Sequence, residues 1–359
     1  MNTRQLQDLG QSLWLDNITR DLLDSGTLKQ FIDDWSISGI TSNPTIFDEA
    51  IRGSSAYDET IRSAANLSIT DEDLFMELAL DDLRRAADLL RPVFDRTHTV
   101  DGWVSLEVSP LLVNDTGGTI AAAERIHAQA GRPNFFVKIP GTTAGIAAIE
   151  ECIFRGVPIN VTLLFSRAQY LAASEAYLRA LDRRLEAGLD LRVASVASLF
   201  ISRWDKAIHD RVSPELRNRL GIAVAGATYS TYCEMLTSHH WQRLKKHGAL
   251  PQRLLWASTG VKDPAAPDCL YVEALAAPGT INTLPEKTLR AFVDHGRVGG
   301  VMAPAGEAAN ATLRSFKSDG VDLKELATRL QTEGAQAFTQ SWRQLMTRIA
   351  EKRKQWIAA

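Results

Sequence analysis

The sequence predicts an α/β protein, a (β/α)8 barrel with extra helices. Short apolar segments with strand character alternate with longer helical segments, and polar residues follow each predicted strand. Eight such units favour a closed barrel over an open sheet. A barrel needs roughly 250 residues, so the surplus of this 359-residue chain is assigned to the insertion 48–70, the segment 204–246 and the C-terminal helices. We expect one domain, 1–359, on which the helices at about 305–357 pack as an extension.

Composition argues against several kinds of partner. Lys and Arg number 40 against 43 Asp and Glu, and the formal net charge of −3 gives no electrostatic basis for binding nucleic acid or a membrane surface. No apolar run of about 18 residues occurs. The first residues predict a polar helix rather than the apolar core of a secretion signal. We therefore expect a cytoplasmic protein.

Sequence patterns for cofactors and metals are missing as well. No GxGxxG follows a predicted strand, and neither a P-loop nor an HExxH pattern occurs. His239 and His240 are adjacent, which is poor spacing for two metal ligands on one helix. The three cysteines are odd in number and far apart, so they fit neither a disulfide framework nor a zinc site. We expect no cofactor and no metal.

Asp16 ends the first predicted strand, residues 12–17. Side chains alternate along a strand, so Trp14 and Asp16 share one face. Two interpretations stay open for this carboxylate. It can point into the mouth of the barrel, or it can cap the next helix, because Asp is among the commonest N-cap residues. The helical pattern that follows spans residues 21–36.

Asn43 ends the second strand, because Pro44 forces the residue before it into an extended conformation. Its amide can project into the mouth of the barrel, although asparagine before proline is also ordinary turn chemistry. Residues 50–68 look polar and irregular. A capping pattern then opens a helix at 70 that we expect to end before Pro92.

Glu107 lies near the end of the third predicted strand, 102–110, on the same face as Ser105. A glutamate in an apolar strand is uncommon, because burying a carboxylate is costly unless it is paired. A buried lysine would be its natural partner.

Lys138 interrupts the fourth strand, residues 134–140, between Val137 and Ile139. Side chains two positions apart on a strand share a face, so Lys138 lies on the same face as Phe136. At the C-terminal end of a barrel strand, that face opens into the mouth of the barrel. Burial favours the neutral amine of a lysine, and a neutral amine can attack a carbonyl carbon to form a Schiff base. The alternative is a structural lysine paired with a carboxylate at a strand end.

Two further strands carry polar residues at their ends. In the fifth, 157–166, Asn160 and Thr162 are in phase. The sixth, 192–200, contains Ser198 and is followed by Arg203. For this arginine, a surface ion pair with Asp205 or Asp210 is the alternative to a role in binding.

The last barrel strands are less clearly marked. Residues 253–262 predict the seventh strand and its loop, with Ser258 and Lys262 after the apolar run. Residues 269–276 have a pattern that fits a strand or a helix equally. Helical and charged sequence dominates from about 305 to 357.

Three segments resemble the signature segments of the transaldolase family: Thr41–Thr45, Val137–Pro140 and Asn160–Ser166. The resemblance runs from about Trp14 to Glu286 in the family's order. It implies a class I, Schiff-base-forming aldolase on a (β/α)8 barrel. Such a transferase moves a dihydroxyacetone unit from sedoheptulose 7-phosphate or fructose 6-phosphate to glyceraldehyde 3-phosphate or erythrose 4-phosphate, within the pentose phosphate pathway.

The resemblance also implies a role for each matching residue. Lys138 would form the Schiff base, Glu107 would act as acid and base through a bound water, and Asp16 would take the proton whose removal drives carbon–carbon cleavage. The residues implied in holding substrate or the catalytic water are Asn43, Asn160, Thr162, Ser198, Arg203 and Ser258. The family's second phosphate-binding arginine has no counterpart two residues after Ser258, and Lys262 is the candidate replacement.

Two other functions compete with this expectation. One is a related Schiff-base aldolase that uses no sugar-phosphate acceptor. The other is a non-catalytic paralogue, which the intact set of Asp16, Glu107 and Lys138 argues against. The expected partners are sugar phosphates, and the expected assembly is a monomer or a homodimer.

Overall fold

The computed structural model describes residues 2–357 and has eight parallel strands that close into a barrel in sequence order. This confirms the predicted fold class. The strands are β1 (Ser12–Asp16), β2 (Ile37–Thr41), β3 (Trp103–Glu107), β4 (Phe135–Pro140), β5 (Ile159–Leu164), β6 (Ser195–Phe200), β7 (Gln252–Ala257) and β8 (Ile281–Leu284).

Sixteen α-helices surround or extend this barrel within the described residues. They are α1 (Asn2–Asp8), α2 (Arg20–Asp24), α3 (Thr27–Asp34), α4 (Pro44–Gly53), α5 (Asp58–Ser63), α6 (Asp71–Arg96), α7 (Thr116–Ala130), α8 (Thr143–Phe154), α9 (Arg167–Glu186), α10 (Ser202–Ile208), α11 (Leu220–Thr237), α12 (His239–Lys246), α13 (Leu270–Ala274), α14 (Glu286–His295), α15 (Glu307–Ser318) and α16 (Leu323–Ile357). None of those between residues 2 and 357 is long and apolar enough to cross a membrane.

Local capping chemistry fixes where many of the helices begin. The side chains of Thr70, Asp115 and Thr142 each accept a hydrogen bond from the backbone N–H three residues on, which satisfies one of the free donors at a helix start. Ser166 and Gln169 form a reciprocal capping box at the start of α9. These helix starts can be predicted from the sequence, because each cap is a contact between residues three positions apart.

Aromatic side chains fill the barrel below the level of Lys138. The Phe136 ring stacks on Trp103, with their centroids 4.1 Å apart, and lies 6.2 Å from the ring of Trp14. A Cβ atom at Gly39 would come within 2.5 Å of the Trp14 indole, so only glycine leaves room for this ring. The mouth of the barrel therefore has a rigid apolar floor.

Several predicted elements are corrected by the structure. Residues 50–68 are not irregular, because they hold the end of α4 and all of α5, whose Ile61 is buried. The helix predicted to end before Pro92 continues to Arg96. Pro92 lies on the exposed face, so the carbonyl of Asp88 that loses its backbone donor can be hydrated instead.

The helical segments 21–36 and 204–246 are each divided. The first forms α2 and α3, separated by Gly26 in the left-handed conformation. The second forms α10, α11 and α12, with Asn218 left-handed just before α11. Gly26 therefore turns the backbone between α2 and α3, and Asn218 turns it at the entry to α11.

Residues 269–276 form the short helix α13, and the eighth strand is Ile281–Leu284. This strand has four residues, of which Asn282 and Thr283 are polar, so it carries little strand pattern of its own. It exists because β1 and β7 pair with it on either side. Closure of the barrel, rather than local propensity, defines β8.

The C-terminal helix α16 packs against α4, α5, α6 and β5. Trp342 meets Phe75 edge to face, with centroids 5.2 Å apart. The salt bridges from Arg348 to Asp48 (2.5 Å) and from Arg353 to Asp71 (2.7 Å) fasten the same helix. We propose from these contacts that the barrel and its C-terminal helices form one domain.

Candidate active site

The barrel register brings the predicted site residues to one level at the C-terminal ends of the strands. Glu107 pairs with Lys138 across β3 and β4, and Lys138 pairs with Asn160 across β4 and β5. Asp16 pairs with Thr41 across β1 and β2. Residues far apart in the chain therefore face one mouth, which is where (β/α)8 enzymes hold their active sites.

Lys138 is 5 % exposed and makes three contacts. Its Nζ donates to the Ser42 carbonyl oxygen at 2.9 Å and lies 3.5 Å from Glu107 Oε2. The ring of Phe338, from α16, is centred 5.9 Å from the same nitrogen. The lysine is both paired with a carboxylate and placed at the mouth, so the two interpretations of its position are not exclusive.

Glu107 is 3 % exposed, and burial raises its pKa to about 7, against the lowering effect of the Lys138 charge. Among residues 2–357, neither of its carboxylate oxygens has a hydrogen-bond donor at ordinary distance. A carboxyl group that titrates near neutrality can both give and take a proton under physiological conditions, which suits general acid–base catalysis.

Asp16 accepts a hydrogen bond from Thr41 Oγ1 at 2.7 Å, and this hydroxyl is 2.7 Å from that of Thr283 on β8. Burial raises the pKa of Asp16, while the nearby charge of Lys138 and the Thr41 hydroxyl lower it. The N-cap of α2 is Thr19. The alternative in which Asp16 caps that helix is therefore wrong.

Polar side chains continue around the mouth. Ser198 donates to Asn160 Oδ1 at 2.7 Å, and Asn160 Nδ2 lies 3.4 Å from Ser105 Oγ. Asn43 caps a helix and also faces the cavity. Its Oδ1 accepts from the backbone N–H of Ile46 at 3.1 Å as the N-cap of α4, and the residue also lines the cavity.

The mouth contains a cavity of about 240 Å³. Eight of the predicted site residues line it: Asp16, Asn43, Lys138, Thr162, Ser198, Arg203, Ser258 and Lys262. Glu107 and Asn160 do not line it, and both are buried. The Thr162 hydroxyl has no hydrogen-bond partner among the described residues.

Arg203 and Lys262 lie on one side of this cavity, and within residues 2–357 neither has a carboxylate within 4 Å. Burial lowers the pKa of both groups, and the Arg203 charge lowers that of Lys262 further. The alternative pairing of Arg203 with Asp205 is wrong, because Asp205 instead accepts from Tyr271 Oη and the backbone N–H groups that open α11. Glu333 and Asp16 lie near enough to raise these two pKa values in turn, but neither cation is in an ion pair among the described residues, so together they can bind an anion.

Ser258 completes this side of the cavity. Its φ of 55° places it in the left-handed region, which a serine adopts only where its surroundings hold it. Its hydroxyl lies 3.1 Å from that of Ser202 at the start of α10. Ser202 directly precedes Arg203, so this contact ties the β7 loop to the helix that carries the arginine.

Sequence reasoning missed several cavity residues. Thr283 lies on β8, the strand that the sequence did not reveal. Phe338 is 200 residues beyond Lys138 in the chain and has the pattern of any apolar position on an amphipathic helix. Thr41 did lie in a recognised segment, and its position at a strand end was the available signal.

A possible metal-ligand group lies away from the cavity. Asp268, Cys269 and His295 bring ligand atoms within 4.8 Å of one another, the one such group found in the described part of the chain. The His295 ring already has carboxylates of Asp268 and Asp294 at 2.9 and 3.1 Å. An ordinary surface ion pair accounts for this arrangement.

Fold and site together define a class of protein. A buried amine beside two carboxyl groups, with two cations across the same barrel mouth, is suited to imine chemistry on an anionic carbonyl compound.

The chain belongs to the transaldolase/fructose-6-phosphate aldolase family, whose model matches residues 13–349. It is 42 % identical over 358 residues to the transaldolase of Thermobifida fusca, with 97 % of each chain covered. It is 44 % identical over 355 residues to that of Thiobacillus denitrificans, covering 97 % of this chain and 99 % of the relative. It is 38 % identical over 369 residues to transaldolase 2 of Nostoc punctiforme, covering 98 % and 97 %. The resemblance seen in the sequence is confirmed.

The raised pKa of Glu107 predicts a pH-dependent stability difference. The folded protein binds this proton more tightly than the unfolded chain, so the wild type loses stability as pH rises from 4.5 to about 7. Glu107→Gln has no such loss. Between about pH 5 and about pH 8, the free energy of unfolding should shift by about 2–3 kcal/mol in favour of the variant. Urea unfolding at both pH values measures it.

Asp88→Asn is the matched control, because Arg132 lowers the pKa of Asp88 and its titration falls below this window. Its difference from wild type should stay constant between the two pH values. A constant difference for Glu107→Gln as well would contradict the raised pKa.

Proposed function

We propose that this protein is a transaldolase, a transferase that moves a dihydroxyacetone unit from a ketose phosphate to an aldose phosphate through a Schiff base on Lys138. The observation that carries the proposal is the placement of the Lys138 amine, 3.5 Å from Glu107 and in the same cavity as Asp16. The donors are sedoheptulose 7-phosphate or fructose 6-phosphate. The acceptors are glyceraldehyde 3-phosphate or erythrose 4-phosphate.

Imine formation depends on Lys138 and Glu107. The neutral amine attacks the keto carbon to give a carbinolamine, and loss of water from it gives the protonated imine. Glu107 protonates the departing hydroxyl through a bound water, a role that its pKa of about 7 supports. Thr162, whose hydroxyl is otherwise unpartnered among the described residues, orients that water.

Carbon–carbon cleavage depends on Asp16. Its carboxylate takes the proton of the C4 hydroxyl, the C3–C4 bond breaks, and the bonding electrons move into the imine to give an enamine. The departing product is an aldose phosphate. In the second half-reaction, the enamine carbon attacks the acceptor aldehyde, and Asp16 returns its proton to the new hydroxyl. Water acting through Glu107 then hydrolyses the product imine, which frees the new ketose phosphate and the Lys138 amine.

The remaining residues of the mouth bind the substrate. Asn43 and Ser198 hold the hydroxyls of the bound unit, and Asn160, which lies behind the cavity wall, acts on the same hydroxyls through the hydrogen bond that it accepts from Ser198. Arg203 anchors the phosphate, because a guanidinium donates two parallel hydrogen bonds to it. Ser258 and Lys262 complete the phosphate site, with the lysine in place of the second arginine of the family.

We also propose a cytoplasmic location, which suits three cysteines that are all free, and a monomer or homodimer as the assembly. The family includes fructose-6-phosphate aldolase as well as transaldolase. An aldolase that releases dihydroxyacetone without an acceptor is therefore the alternative activity.

Acceptor dependence separates the two activities. With fructose 6-phosphate as donor, we expect rapid formation of glyceraldehyde 3-phosphate and sedoheptulose 7-phosphate only when erythrose 4-phosphate is present. The reason is that the enamine waits on Lys138 until an acceptor aldehyde arrives. Product analysis with and without the acceptor makes the comparison. Equal rates in both reactions would identify an aldolase.

Borohydride with fructose 6-phosphate should trap a dihydroxyacetone adduct on Lys138, and peptide mass mapping should locate it. Lys138→Ala and Lys138→Arg should give no adduct and no turnover, because arginine stays charged and forms no imine. Lys262→Ala is the matched control, since it removes another cavity lysine and should still be trapped at Lys138. An adduct on any other lysine would reject this mechanism.

Arg203→Ala should weaken kcat/KM for fructose 6-phosphate much more than for unphosphorylated fructose, which never used the contact. The change should be tenfold to a hundredfold, because a charge-assisted hydrogen bond contributes about 1.5–3 kcal/mol. Lys262→Ala should change the ratio of the two substrates in the same direction but less.

Lys245→Ala, on the exposed face of α12, should leave that ratio unchanged. An unchanged ratio in Arg203→Ala would place the phosphate elsewhere, and one in Lys262→Ala would remove that lysine from the site.

A further inference from the structure

Helix α16 contributes one side chain to the lining of the cavity. Phe338 lines the cavity, is 7 % exposed, and has its ring centre 5.9 Å from Lys138 Nζ. A phenyl ring has no conventional hydrogen-bond donor or acceptor. It therefore covers the reactive nitrogen with an apolar surface.

The barrel end holds this part of α16 closely. Gln331 Nε2 donates to the carbonyl oxygens of Gly141 at 3.0 Å and of Leu163 at 2.9 Å. Leu163 is left-handed, with φ 57°, at a register shift between β5 and β6 that turns this carbonyl toward the helix. At Gly334, an added Cβ would lie 2.9 Å from Leu163 Cδ2, so glycine permits the close approach.

A second attachment lies just beyond Phe338. Thr45 Oγ1 donates a hydrogen bond to Ser341 Oγ at 2.9 Å, and Thr45 itself lines the cavity. Phe338 is thus held between contacts on both sides along the helix. A side chain fixed in this way forms a rigid cover rather than a flexible one.

We propose that Phe338 determines whether the bound three-carbon unit is transferred or released. After donor cleavage, the enamine on Lys138 has two fates. Attack of its carbon on an acceptor aldehyde forms the new carbon–carbon bond. Alternatively, that carbon takes a proton from water, a second water adds to the imine carbon, and the carbon–nitrogen bond breaks. The hydroxide left by the first water takes up the proton given off by the second, so this fate consumes one water in net and releases dihydroxyacetone and the free amine.

Only the second fate requires water at the reacting atoms before an acceptor arrives. An apolar ring beside the nitrogen keeps further water from the enamine carbon while it leaves the rest of the mouth open to the acceptor. The single water held by Glu107 and Thr162 serves imine formation and hydrolysis and is not the proton source for that carbon. This inference rests on the proposed function, and it assigns to α16 the specificity for transfer over release.

The test measures the rate of glyceraldehyde 3-phosphate formation from fructose 6-phosphate without an acceptor, divided by the rate with erythrose 4-phosphate. In Phe338→Ala this ratio should rise about tenfold, equivalent to about 1.4 kcal/mol of barrier. NMR in heavy water should show the released dihydroxyacetone carrying deuterium at the protonated carbon. Phe338→Leu keeps an apolar cover, and its ratio should stay near that of the wild type.

Gln331→Ala serves as a second variant, since it loosens the cover without removing a cavity side chain, and its ratio should also rise. Arg348→Ala breaks the attachment of α16 to α4, at Asp48, and should lower stability without changing the ratio. A ratio equal to wild type in folded, active Phe338→Ala would overturn the assignment, and so would an equal rise in Phe338→Leu. If the wild type itself needs no acceptor, the proposed transaldolase function is wrong. That result is distinct from an unchanged ratio in Phe338→Ala, which would reject only the role of Phe338.

Discussion

The buried amine of Lys138 is the constraint on which the site depends. Moving an ammonium out of water costs several kcal/mol unless other groups compensate for the lost hydration. Three groups do so here: the Ser42 carbonyl, the Glu107 carboxyl and the face of the Phe338 ring. They come from the loop after β2, from β3 and from the C-terminal helix. The environment that holds the amine is therefore also the environment that sets the protonation of Glu107, because burial raises its pKa and the lysine charge opposes that rise.

The two ends of the barrel divide stability from chemistry. At the N-terminal end, Arg253 Nη2 donates to Ser12 Oγ at 2.7 Å, and Asp101 accepts from Trp14 Nε1 at 2.7 Å, so that polar groups from several elements satisfy one another. Within the described structure, some hydrogen-bonding capacity is left unused at both ends, for example at Gln11 and Gln252 near the N-terminal end and at Glu107 and Thr162 at the mouth, and only the last two are assigned to the chemistry. Those two groups reduce stability and are retained where chemistry needs them.

Charged side chains also differ between the protein surface and the mouth of the barrel. Most Lys and Arg side chains near carboxylates form ordinary surface pairs, as Arg132 does with Asp88. Arg203 is partly buried and Lys262 is exposed, and the Arg203 charge lowers the pKa of Lys262, so an anion bound between them would stabilise both charges. The transaldolase reaction supplies such an anion in both half-reactions, since the donor and the acceptor are phosphorylated.

The fold class, and the strand-end residues that meet at the mouth, could be predicted from the sequence alone. Asp16, Glu107 and Lys138 each interrupt an apolar strand pattern, and the alternation of strands and helices implies that strand ends converge. Helix starts such as Thr70 were also readable, because a cap is a contact over three residues. Two features could be recognised only in the folded protein: β8, which is defined by its neighbours, and the position of Phe338, which reaches Lys138 from 200 residues away. Contacts of that range leave no periodicity in the sequence, because they are selected by packing of the whole barrel rather than by local propensity.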